Sequence, residues 1–395
     1  MPLDAVASRG WTLADLQLPV LALRETALAH NLALMAAYAR EHDVALAPHG
    51  KTTMAPALWR RQLDAGAWGI TAANATQARA MREAGVPRVL IANEVVDPAA
   101  TAWLAATTGD PTFAITCYVD SLRGIELLEG ASSPERPIAV LVELGLEGGR
   151  TGCRSDEEAA ELAARVRASR RLRLAGVSGY EGVICHDRSP ACLERVGAFL
   201  DRLNGLARAV LAHGPAETGE PFVVSAGGSV FFDLVVERLR GPWPADVAVR
   251  VLLRSGCYLT HDHGTYERTS PMPASRGEGG FHPALELWSA VLSRPEPRLA
   301  LLGFGKRDAP HDVDLPIPTV VRGADGASRP VDGALTVRAL NDQHAYADVA
   351  EGYALEPGDV VGCGISHPCT AFDKWRVLPV LDDDDRVIDA VATLF

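Results

Sequence analysis

The chain has 395 residues, a net charge of −12, 48% hydrophobic and 22% charged residues, the make-up of a soluble globular enzyme of about two domains. That acidic balance excludes a nucleic-acid partner, which needs a basic face, and no run of about 18 apolar residues is present to span a membrane. The opening MPLDAVASRGWTLADLQ lacks the basic-then-apolar order of a signal peptide, and seven scattered cysteines without a CxxC pair form no disulfide framework, so a cytoplasmic location is expected.

In chain order, LPVLALR (18–24) reads as a strand. From about residue 44, eight β-rich runs then alternate with helical stretches. They are ALAPH (45–49), WGITAA (68–73), RVLIAN (88–93), FAITCYV (113–119), IAVLVEL (138–144), RLAGVSGY (173–180), PFVVSAG (221–227) and VAVRVLLR (247–254). Asn74 and Ser155 stand where helix N-caps belong, Gly66 and Gly85 where helices stop. Continuous apolar strands between amphipathic helices imply a parallel sheet buried on both faces, and eight such units fit a closed (β/α)8 barrel. After Gly256 the pattern changes to Gly, Pro and Asp with short β-like pieces: 284–293, 298–305, 335–342, 359–366 and 375–382. SRGEGGFHP (275–283) and VRGADGASRP (321–330) read as loops. The expectation is an α/β chain with a barrel over 25–254, and a mostly β domain built from 255–395 together with 1–24.

Three lysines, Lys51, Lys306 and Lys374, stand against 35 arginines. Arginine stays protonated and cannot form an imine, so any lysine chemistry has three candidates. Lys51, in LAPHGKTTMAP, follows the first barrel strand, and barrel active sites lie at strand C-termini. SAGGS follows strand seven, where glycine amides can approach an anion; Ser225, Gly227, Gly228 and Ser229 are the anion candidates there, with Gly256, Cys257 and Tyr258 after strand eight. His367 and Cys369, at i and i+2 of a strand-like run, would share one face and suit a divalent metal, zinc above all.

The stretch APHGKTTMAPALWRRQLDAGAWGITAANATQARAMREAGVPRVLIANEVV resembles fold-type III pyridoxal-phosphate (PLP) enzymes, within them the D-serine dehydratase and D-threonine aldolase group. GGRTG (148–152), GYEG (179–182), SAGGS (225–229), RSGCY (254–258), GFGKRD (303–308), NDQH (341–344) and SHPC (366–369) follow in the family's order. The resemblance implies an alanine-racemase-like barrel followed by a β-domain, with PLP carried on Lys51. His49 would shape the cofactor pocket and Tyr180 would contact the cofactor or fill the barrel. Arg150 resembles the arginine near the cofactor's phenolate oxygen. Arg254 takes the place of the alanine-racemase arginine near the pyridine nitrogen, or else pairs with a surface acid. His367 and Cys369 resemble the zinc pair of D-serine dehydratases, whereas aldolases tend to carry His-x-Asp; manganese and magnesium remain alternatives.

His344 would touch metal or substrate, while His261 and His263 read equally as ligands or as an exposed loop. His186 has no assigned role. Val183 stands where aldolase relatives favour histidine. The implied activity is PLP- and metal-dependent dehydration of a D-3-hydroxy amino acid such as D-serine or D-threonine, with retro-aldol cleavage as the alternative. A racemase has no use for the metal pair, and a PLP carrier lacks the β-domain. The resemblance also implies a homodimer.

Overall fold

The computed structural model describes residues 7–214 and 219–395; the first residues of the 1–24 segment assigned to the β-domain lie outside it. The strands, in chain order, begin with β1 (Val20–Arg24). Then come β2 (Ala45–Leu46), β3 (Ile70–Ala72), β4 (Arg88–Glu94), β5 (Ala114–Val119), β6 (Ile138–Leu144), β7 (Leu172–Gly179), β8 (Phe222–Ala226) and β9 (Val249–Leu253). The remaining nine are β10 (Leu285–Glu296), β11 (Leu299–Leu302), β12 (Ile317–Arg322), β13 (Ser328–Pro330), β14 (Leu335–Leu340), β15 (Ala345–Val349), β16 (Val360–Gly364), β17 (Val377–Leu381) and β18 (Val387–Ala392).

By internal packing the described chain divides into two units, residues 36–51 with 59–256, and residues up to 35 with 52–58 and 257–395. In the first, β2 to β9 are all parallel, in the order β2-β9-β8-β7-β6-β5-β4-β3. The seam between β3 and β2 is joined just past β2, where Gly50 N donates to Thr71 O (2.8 Å) and Thr71 N to Pro48 O (2.9 Å), so the sheet closes as the alternation predicts. Ala47, Leu90, Tyr118, Ala139, Leu141, Ala175, Val223 and Leu252 fill its interior, drawn from almost every strand, as in a packed barrel core. Asn74 and Ser155 cap their helices, accepting from the amides of Gln77 and Glu158. Both glycines expected as stops, Gly66 and Gly85, have positive φ.

The second unit is a mostly antiparallel sheet in the order β13-β12-β16-β10-β1-β17-β18, with β11, β15 and β14 attached to β10. β1 pairs antiparallel with β10 and parallel with β17, so the opening strand does join this sheet. Leu13, Val20, Ala22, Trp288, Leu381, Val387 and Ala390 form its core. Two expectations fail here. The segment 321–330, read as a loop, forms the hairpin of β12 and β13 around Gly323–Gly326, because its turn residues mask the short polar strand that follows them. Elsewhere, Cys185 and Cys192 are bonded to each other with Cα atoms 6.0 Å apart. The turn that ends at the Ser189 N-cap folds the chain back and brings together two cysteines whose spacing carries no CxxC signal. No helix among the described residues is long and apolar enough to cross a membrane.

Candidate active site

The barrel strands deliver their C-termini to one rim. His49 N donates to Arg254 O (3.1 Å), so the backbone leading into Lys51 is fixed by the ends of β9 and β3. A Cβ at Gly256 would lie 2.5 Å from His49 O, which restricts that position to glycine. Lys51 itself is half-buried. His49 Nδ1 is buried without a hydrogen-bond partner. Burial first, then the charges of Lys51, Arg254 and Arg150, holds the His49 imidazole well below its usual pKa and therefore neutral.

Arg254 is 5% exposed and, among the described residues, bonded only to neutral acceptors: Ser225 Oγ (2.6 Å) and Ser178 Oγ (3.3 Å) through Nη1, and Gly179 O (2.7 Å) through Nη2. It is thus not the surface pair that was one of its two readings. A buried guanidinium on neutral partners leaves positive potential for an anionic ligand to use. Arg150 is exposed and stacks over Tyr180, its Cζ 4.3 Å from the ring centroid. Three cations around a neutral imidazole whose Nδ1 has no partner suit an anionic aromatic cofactor such as PLP, and the residues present fit it.

The glycine amides are engaged differently. Gly227 N (3.1 Å) and Gly228 N (2.6 Å) both donate to the carboxylate of Glu181, which is fully buried. Ser225 Oγ donates to Leu252 O (3.0 Å) and holds Arg254; Ser229 lies half-buried on the turn beyond Gly228. A phosphate at these amides would have to replace the Glu181 carboxylate. Cys257 and Tyr258 open a 3-10 turn, Cys257–Leu259, in the other unit, and both are buried.

The other side of the barrel rim is acidic, which the motifs gave no reason to expect. Glu94 ends β4, Asp120 follows β5 and Glu143 is near the end of β6. Burial, then the charges of Glu143 and Asp120, pushes the Glu94 carboxyl up to about 8. Glu94 pairs in register with Tyr118 of the interior cluster, which puts Glu94 inside as well; the irregular pairing between Leu90 and Glu94 hides that from simple alternation. A carboxyl that holds its proton more tightly when folded than its usual 4.5 stabilises the fold below that value and loses the contribution as pH rises through about 8. Thermal stability should therefore fall between about pH 5 and about pH 9, and Glu94→Gln should flatten much of the fall, on the order of a few kcal/mol. Unchanged slopes in the two proteins would refute the assignment.

In the β-rich unit, His367 and Cys369 are not on a strand. β16 ends at Gly364, and His367, at φ +76°, leads into a 3-10 turn, Pro368–Thr370. The same-face argument from i and i+2 therefore fails, because Pro368 and the positive φ turn the chain. What orients the pair is Asp312 and Asp262, neither singled out by motif. Asp312 Oδ2 lies 2.6 Å from His367 Nδ1, and Asp312 Oδ1 accepts from Thr370 Oγ1 (2.8 Å). Burial raises the Asp312 carboxyl, but bonding to Thr370 and the charge of His367 outweigh it, leaving its pKa lowered.

Asp262 Oδ2 accepts from His367 N (3.1 Å), while Oδ1 accepts from the amides of Gly264 and Tyr266. With Nδ1 committed to a carboxylate, Nε2 is the nitrogen left for an ion, the usual arrangement of a metal-binding histidine. Cys369 Sγ lies 3.4 Å from Cys257 Sγ and 3.7 Å from Thr52 Oγ1. Among the described residues no group of three or more His, Cys, Asp or Glu side chains is arranged to hold a metal. An imidazole nitrogen and a thiol are donors whose chemistry suits zinc.

His344 is exposed at the tip of the β14–β15 hairpin. His261 is buried, 3.2 Å from Glu267, so the exposed-loop reading fails for it; His263 packs against Gly364. His186 and Val183 are exposed.

A closed parallel barrel with a lysine past its first strand, joined to a β-sheet unit, defines the fold-type III PLP enzymes, and this chain is one of them. The model of "Alanine racemase, N-terminal domain" matches residues 23–217, and that of "Putative serine dehydratase domain" matches 284–381. Through these two domains the chain is similar to the D-serine dehydratase and D-threonine aldolase group of that class. It is 28% identical over 391 residues to a D-threonine aldolase of Arthrobacter sp., covering 95% of this chain and 92% of that one. The crystal structure of D-threonine aldolase from Filomicrobium marinum matches with TM-score 0.80 at 26% identity, over 97% of each chain. D-threo-3-hydroxyaspartate dehydratase from Delftia sp. HT23 shares the fold, with TM-score 0.72 at 21% identity over 97% and 99%.

Proposed function

We propose that the chain is a PLP- and metal-dependent lyase of D-3-hydroxy amino acids such as D-serine or D-threonine, removing water and releasing a 2-oxo acid and ammonia. The observation that carries this reading is His367, backed by Asp312 at 2.6 Å and two residues from Cys369. Bound to Lys51, PLP would withdraw electrons from Cα, and zinc, or else manganese or magnesium, on His367 and Cys369 would act as a Lewis acid on the 3-hydroxyl.

Lys51 is the base that takes the Cα proton. His49, neutral beside three cations, does not compete for it. Arg254 has only protons to donate, so a ring nitrogen beside it stays unprotonated. Arg150 would face the phenolate oxygen, and the amides of Ser229, Gly256, Cys257 and Tyr258 remain the phosphate candidates, those of Gly227 and Gly228 being held by Glu181, with Ser225 supporting Arg254. Asp312 fixes the His367 ring; Asp312→Asn should weaken zinc binding about tenfold, read by competition with a chromogenic chelator. An affinity equal to the parent's would remove Asp312 from the site.

Retro-aldol cleavage to glycine and an aldehyde is the second reading, favoured by the D-threonine aldolases of Arthrobacter sp. and Filomicrobium marinum. Against it, that path needs a base for the hydroxyl proton. In the turn Glu181–Val183, Val183 cannot serve and Glu181 already accepts from two amides. Incubation with D-threonine decides: 2-oxobutanoate and ammonia support dehydration, whereas glycine and acetaldehyde support the aldolase. A homodimer is part of the proposal and is read by sedimentation equilibrium.

A further inference from the structure

We propose that Cys257 and Cys369 are a redox pair whose disulfide competes with the metal for the Cys369 thiolate. The proposal builds on the metal reading above only in its second half. Cys257 opens its 3-10 turn and Cys369 lies in the turn after β16, and 112 residues of chain separate them, yet their sulfurs are 3.4 Å apart. Thr52 Oγ1 lies 3.8 Å from the first and 3.7 Å from the second. A disulfide bond of about 2.05 Å requires the sulfurs to close by roughly 1.4 Å, within the reach of side-chain rotation.

The two thiols differ in access. Cys369 is half-buried, whereas Cys257 is 6% exposed. A small hydroperoxide reaches Cys369 first, and the sheltered Cys257 is then the resolving thiol, the arrangement of redox-sensing cysteines. The step balances. The Cys369 sulfur attacks one peroxide oxygen, the O–O bond breaks, and a sulfenic acid and water form. The Cys257 sulfur then attacks the sulfenic sulfur, its proton goes to the departing hydroxyl, and a second water leaves. Two electrons pass from the sulfurs to the peroxide, and a dithiol returns them. Cys117, Cys153 and Cys363 are buried thiols that serve as internal references in the same chain.

The consequence is exclusion. In the disulfide Cys369 has no thiolate to offer, so oxidation removes a ligand; with a metal bound, the thiolate is not available to the peroxide.

The test uses full-length protein stripped of metal, treated with hydrogen peroxide and digested with trypsin. A cross-linked peptide joining 255–268 to 339–374, two hydrogen masses lighter than the pair and released by dithiothreitol, is expected. It should vanish in Cys257→Ser and in Cys369→Ser, the latter separating Cys369 from Cys363 within the same peptide. Protein loaded with Zn2+ should form at least tenfold less of it. Cys257→Ser should keep its zinc affinity within threefold, while Cys369→Ser loses it. Absence of the cross-link from metal-free protein overturns the pair. Equal loss of zinc by both variants makes Cys257 a ligand and overturns it too. A cross-link that forms in a protein binding no zinc at all upholds the thiol pair and removes the metal reading instead.

Discussion

Replacing Lys51 by alanine is expected to remove the visible absorption of bound cofactor and to lower turnover at least a thousandfold. The expectation is large because the chain has no substitute amine. Lys306 is exposed in the β-rich unit, its amide bonded to Asn341 O, and Lys374 sits 3.5 Å from Asp373. Lys51→Arg should fail equally, since a guanidinium keeps the charge but cannot condense with an aldehyde. That variant separates loss of the nucleophile from loss of a cation beside His49 and Arg254. Borohydride reduction of the parent followed by peptide mapping should find the cofactor on Lys51. Attachment at Lys306 or Lys374, or an unchanged spectrum in Lys51→Ala, would sink the assignment.

His367→Ala should lower zinc affinity a hundredfold or more and kcat/KM by about 10²–10³, the scale of a lost Lewis acid. The visible spectrum should survive, because the cofactor depends on the barrel. The two variants thus split two roles: one loses the band and activity, the other activity alone. Chelation of the parent should reproduce the His367→Ala rate, and added Zn2+ should rescue the chelated parent but not the variant. Full activity after verified metal removal would leave the His-Cys pair without a catalytic part.

The barrel was legible because its signal is local. Most of the eight strands are mainly apolar, and Ile138–Leu144 is buried at every position, as a strand covered on both faces must be. The β-rich unit was harder. Ser328–Pro330 is short and polar, so its turn residues spoke louder than its pairing with Val320–Arg322. The site was legible only where motifs run along the chain. Asp312 and Asp262 act on His367 from 55 and 105 residues away, and no spacing announces such contacts. Glu181 sits inside a recognised motif, but its bonds to the amides of Gly227 and Gly228 arise only once β7 and β8 are neighbours.

The position of β1 bears on how the molecule is made. The first strand synthesised is stitched between β10 and β17, partners that leave the ribosome some 260 to 360 residues later. During that interval the barrel sequence can assemble from near-neighbour units while Val20–Arg24 waits with both edges bare. The sheet that carries the histidine–cysteine pair is therefore the last part to close. Expressed alone, residues 255–395 would lack the strand that joins β10 to β17 and be prone to self-association.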